Sequence, residues 1–111
     1  MHLSDLQRDS ILSLIEKGKQ QEYLNCNKKV AKTVKEWKNK AKSDQEAYDK
    51  VYKKVIKHEH HLVTRYAHID DSNCLRILAE VFVDELIPKK DFNTLDKFMQ
   101  KEILRITGMP L

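Results

Sequence analysis

A chain of 111 residues has room for one domain, and 41% apolar residues are enough for a packed core beside 34% charged residues and a net charge of +4. Two Gly and two Pro are too few for the many turns of a β-sandwich or barrel. The two glycines lie far apart in the chain, which excludes a glycine-rich phosphate loop.

The apolar residues recur with the 3.6-residue period of a helix nearly throughout. A first helix is predicted from Ser4, because Ser4 and Gln7 have the spacing of a capping box, and it carries Leu6, Ile11, Leu14 and Ile15 inward. Gly18 reads as its stop. A second helix is predicted over 20–42, with Tyr23, Asn27, Val30, Val34, Trp37 and Ala41 in alternating steps of three and four. Ser43-Asp44-Gln45-Glu46 is a second capping box, and it opens a third helix over 44–67. Tyr48, Val51, Tyr52, Val55, Ile56, Leu62, Val63 and Tyr66 form the apolar arc of that helix, and this spacing assigns the tyrosines to the core. Matching stripes and almost no connection between them predict an antiparallel helical hairpin.

Asp70, Asp71 and Ser72 offer cap oxygens to a fourth helix that ends before Pro88. Leu75, Leu78, Ala79, Phe82 and Leu86 line one of its faces and Cys74, Ile77 and Val81 a second, so it is expected at the centre of the fold. Its wet edge is Arg76, Glu80 and Asp84. A fifth helix is predicted from near Asn93 to Gly108, with Leu95, Phe98, Met99, Ile103 and Ile106 inward. The expectation is an all-α protein: a single domain over 1–111, a bundle of four to five helices built around a long antiparallel hairpin.

Charge is distributed unevenly. Residues 28–57 hold eleven lysines against four acids, whereas the segments on either side are slightly acidic. Lys28, Lys32, Lys35 and Lys42 fall opposite the Val30/Val34/Trp37 stripe, and Lys50, Lys53, Lys54, Lys57, His61, Arg65 and His68 opposite Tyr48/Val55/Tyr66. Two readings follow. These residues are a contact surface for an acidic protein or a nucleic-acid backbone, or they are the solvated side of two long helices. Seventeen lysines against four arginines suit phosphate contact better than base reading.

No catalytic constellation, cofactor fingerprint or metal motif is legible. His58-Glu59-His60-His61 lacks the second histidine at i+4 that a zinc site on a helix requires. Cys26 and Cys74 stand outside any C-x-x-C spacing and read as reduced thiols, as in a cytoplasmic protein. No leader segment and no membrane span is expected, since the longest apolar runs are three residues. Glu59 and Glu102 fall inside apolar arcs, where a carboxylate needs a partner. The expectation is a small, non-enzymatic binding or regulatory protein without a cofactor. The alternative is a structural module pairing as a homodimer through the Cys74/Ile77/Val81 face of the fourth helix.

Overall fold

A computed structural model describes residues 2–108, and among them every regular element is helical. In chain order these are α1 (Asp5–Lys38), α2 (Asp44–Tyr66), α3 (Cys74–Val83), the single turn α4 (Lys89–Phe92) and α5 (Lys97–Thr107). The chain divides into two units, Met1–Gln21 with His68–Leu111, and Glu22–Ala67. The upstream boundary falls inside α1, where the sequence carries no linker signal.

In the first unit, Ser4 and Gln7 close the expected box: the Gln7 backbone N–H donates to Ser4 Oγ (3.1 Å) and the Ser4 N–H to Gln7 Oε1 (3.0 Å). The helix they start does not stop at Gly18. It continues unbroken to Lys38. Gly18 serves packing instead, because a Cβ at this position would collide with Val81 Cγ1. The missing side chain lets α3 approach α1 closely, so the two predicted helices are one.

Helix α3 has the burial expected of a central element. Leu75, Ile77, Leu78, Ala79 and Val81 are all at or below 5% exposure, and Leu3, Ile11, Ile15, Met99 and Ile103 of the same unit are buried as well. Cys74, Ile77 and Val81 are covered within this unit, so they offer no surface to a second copy. Phe82 and Phe92 meet edge to face at 5.6 Å between ring centroids. Helix α5 starts later than predicted, at Lys97, because the Asp96 carboxylate caps it by accepting from the Met99 N–H (2.8 Å). Phe98 and Ile106, expected inward, are exposed. Glu102 is half-buried and paired with Arg105 at 2.8 Å, which holds its carboxyl below the usual range.

The second unit is the antiparallel hairpin formed by the C-terminal part of α1 and by α2. Helix α1 ends at Lys38, not Lys42. The Ala41 N–H donates to the Glu36 carbonyl and the Lys40 N–H to the Trp37 carbonyl, with Lys40 left-handed at φ 62°. That is a Schellman motif with lysine where glycine is usual. Helix α3 ends the same way, with Glu85 at φ 57°. Ser43 then caps α2 with both bonds of its box, Glu46 N–H to Ser43 Oγ (3.1 Å) and Ser43 N–H to Glu46 Oε1 (3.0 Å).

Candidate interaction surfaces of the hairpin

The two helices of the hairpin meet along a polar seam. Glu22, only 8% exposed, accepts at Oε1 from His61 Nε2 (2.6 Å) and from Arg65 (3.4 Å). The Tyr66 hydroxyl lies against the same carboxylate, and burial together with Glu22 pushes its pKa upward. Further along, Lys54 Nζ donates to Thr33 Oγ1 (3.1 Å) and to the Lys29 carbonyl (3.3 Å), and Thr33 is fully buried. His58 packs edge to face on Tyr23 at 5.7 Å. At the loop end the Trp37 indole N–H donates to Asp44 (2.7 Å).

This seam redistributes the expected cationic surface. Lys54, His61 and Arg65 point inward and are hydrogen-bonded across the hairpin. Lys42 and Lys50 converge on Glu36, at 3.4 and 3.7 Å. Burial opposes ionisation of Glu36, but the Lys42 bond and the charges of Lys50, Lys42 and Lys32 win and hold its carboxyl low. Lys28, Lys32, Lys35, Lys53 and Lys57 are exposed and make no ion pair among the described residues. At 100° per residue, Lys28, Lys32 and Lys35 lie on the opposite side of α1 from Val30, Val34 and Trp37. Lys53 and Lys57 bear the same relation to Tyr48 and Val55 on α2. His68 is exposed but belongs to the other unit, where its carbonyl accepts from Asn73 Nδ2 (2.6 Å).

The apolar arc predicted as the core of α2 is the largest departure from the sequence reading. Tyr48 is 70% exposed, Tyr52 58%, Val55 46%, Ile56 51% and Val63 54%, while only Ala47, Leu62 and Tyr66 are buried. Glu59 lies within that arc and is therefore wet. The physical reason is rotational: α2 turns Lys54, His58, His61 and Arg65 toward α1, which swings the arc to one flank of the hairpin. With Val34 and Trp37 of α1, the loop-end part of the arc, Tyr48, Val51, Tyr52 and Val55, lines an open apolar groove of about 470 Å³. No signal within one helix separates a covered stripe from an open one, so this surface was hidden from a sequence reading.

Other sites carry less chemistry. A cavity of about 940 Å³ in the first unit is walled by Phe82, Leu86, Ile87, Phe92 and Ile103, and its lining holds no histidine or cysteine. Among the described residues no three His, Cys, Asp or Glu side chains converge on a point that could hold a metal. Both cysteines are free, and burial raises the pKa of the Cys74 thiol. No helix among the described residues is long and apolar enough to cross a membrane. Comparison with protein-family models, curated proteins and solved structures finds no match for the chain.

Proposed function

We propose that the protein is a small, non-enzymatic binding or regulatory module that contacts an acidic protein through the lysine side of its hairpin. The observation supporting this reading is the group of five exposed lysines, Lys28, Lys32, Lys35, Lys53 and Lys57, which form no direct ion pair among the described residues and lie on one side of two adjoining helices. Such a group attracts and orients an oppositely charged surface. Lys42, Lys50, Lys54, His61 and Arg65, bonded within the hairpin, act as its framework and not as its contacts.

An acidic protein is favoured over nucleic acid because the exposed tyrosines lie on the far side of α2 from its lysines, so no stacking platform adjoins the charges. The preponderance of lysine favours phosphate and keeps nucleic acid as the second reading. Two free thiols fit a reducing compartment such as the cytoplasm.

Binding to polyglutamate and to double-stranded DNA, each titrated from about 50 to 200 mM salt, tests the proposal. Polyglutamate is expected to bind and weaken steeply with salt, and the Lys28→Glu/Lys32→Glu/Lys53→Glu variant should lose binding while keeping its helicity. Tighter binding to DNA than to polyglutamate would transfer the assignment to nucleic acid. Binding unaffected by the triple reversal would refute the lysine surface altogether.

A further inference from the structure

We infer that the partner of the lysine side is a disordered acidic segment, rich in Glu and Asp, that stays disordered when bound. This rests on the reading that the lysines contact an acidic protein, and it names the state of the part that makes the contact.

The lysine side carries charge but no anchor. At 100° per residue, every exposed large apolar side chain of the hairpin except Leu24 lies about 80° or more from the mean direction of the lysine row on its own helix. Leu24 stands one turn before Lys28 and, by the same phase, points away from α2. Between the two rows, the positions beside the seam are Asn25, Lys29, Lys54 and His61, all of them polar. Arg65, the one arginine of the hairpin, has a side chain only 11% exposed and is held by Glu22. Tight contacts between folded proteins centre on Trp, Tyr and Arg side chains in desolvated pockets. A rigid partner would lose its freedom of motion on this side with no such pocket to offset the loss.

The lysines suit a partner without fixed geometry. Each presents a compact, strongly hydrated charge on a flexible stem, which sets no angle of approach. Lys28, Lys32 and Lys35 span about 10 Å along α1, and Lys53 and Lys57 span about 6 Å along α2. The Lys54–Thr33 bond sets Lys32 level with the interval between Lys53 and Lys57, so the two rows form one patch. On that side Glu46 and Asp49 are carboxylates without an ion pair among the described residues, and both lie toward the loop from Lys53. The positive surplus is therefore greatest around Lys28, Lys32 and Lys57. An extended chain, at about 3.3 Å per residue, crosses the patch in roughly three or four residues. A longer acidic run offers many equivalent stretches of that length, and its carboxylates can exchange among the lysines. Such a segment has too little apolar surface to fold, and by remaining unfolded it avoids the ordering cost of coupled folding and binding.

Binding of the full chain to fluorescent L- and D-glutamate oligomers of about twenty residues, measured by anisotropy at about pH 7 and about 50 mM salt, tests the inference. The oligomers are mirror images of equal charge, so a contact made without folding should hold both, with dissociation constants within about threefold of each other. Circular dichroism of each mixture should equal the sum of its parts. Lys28→Gln, Lys32→Gln and Lys57→Gln should each weaken binding by about 1.5- to 5-fold, the range of an exposed charge pair, and the factors should multiply. A larger preference for the L-oligomer, helix gained on mixing, or one lysine whose loss abolishes binding would overturn the disordered partner and leave the acidic one standing. Failure of both oligomers to bind would overturn the acidic-protein reading itself, and this inference with it.

Discussion

Replacing Gly18 by alanine sets two effects of opposite sign against each other. Alanine is the better helix former by about 1 kcal/mol at an interior position, and Gly18 lies well inside α1. Against this, the new methyl group would occupy the space of Val81 Cγ1 and touch Cγ2 at 3.4 Å. Val81 is fully buried in α3 and, being β-branched, has no second comfortable rotamer in a helix. Relief therefore requires α1 and α3 to separate, and forced overpacking of this kind costs about 1–3 kcal/mol. The clash is with a stiff, enclosed group, so the upper part of that range applies. The net expectation is a loss of about 1–2 kcal/mol, or a fall in melting temperature of roughly 5–10 °C for a domain of this size. Thermal and urea unfolding should be followed for Gly18→Ala, Val81→Ala and the double variant. In the Val81→Ala background the added methyl group has room, so there Gly18→Ala should be neutral or stabilising, with a coupling of at least about 1 kcal/mol. A rise in melting temperature for Gly18→Ala alone, or strict additivity of the two changes, would refute the close-approach account.

Three further outcomes follow from the structure. Lys40→Gly should stabilise the hairpin by about 0.5–1 kcal/mol in urea unfolding, since it relieves a left-handed residue with a side chain while keeping the bonds that end α1. Glu22→Ala should destabilise by about 2–4 kcal/mol in the same assay, because it removes the nearly buried carboxylate that His61 and Arg65 share. The Arg8 hydrogen bond holds Asp71 below the ordinary carboxylate range, and Gln7 does the same for Asp96. Carboxyls lowered in the folded state contribute stability that is complete above their unfolded values near about 4 and is lost as pH falls through the folded ones. Melting temperatures should accordingly hold from about pH 7 to 5 with respect to these groups and decline below about pH 4, less steeply in Asp71→Asn.

Local signals in the sequence served well where structure is local. Both capping boxes, at Ser4/Gln7 and Ser43/Glu46, form the bonds their spacing implies. Gly108 ends α5 in a left-handed conformation, and the richly apolar α3 lies buried in its unit. Errors arose where one residue type serves two purposes. A glycine in a helical pattern marks a stop or a close approach, and only the position of Val81 distinguishes these at Gly18. Conversely, α1 and α3 stop at Lys40 and Glu85, residues that give no warning of a left-handed backbone. The candidate surface was half legible. The lysine-rich composition of the hairpin was plain, but which of its cationic side chains bond within it depends on Glu22, Thr33 and Glu36 across the seam. The exposed arc of α2 was found as a stripe and assigned to the core, because periodicity reports that apolar residues share a side and is silent on what covers them.

Apolar contacts slide at little penalty, whereas the bonds of Glu22, Thr33 and Glu36 each admit one alignment of α2 along α1. A slip by one turn, about 5.4 Å, would part Lys54 from the Thr33 hydroxyl and leave Glu22 with only one of its two cationic partners, His61 and Arg65. The hairpin is thus keyed, in the manner of a lock with several wards, and its two broad sides keep a fixed pattern without a deep core beneath them.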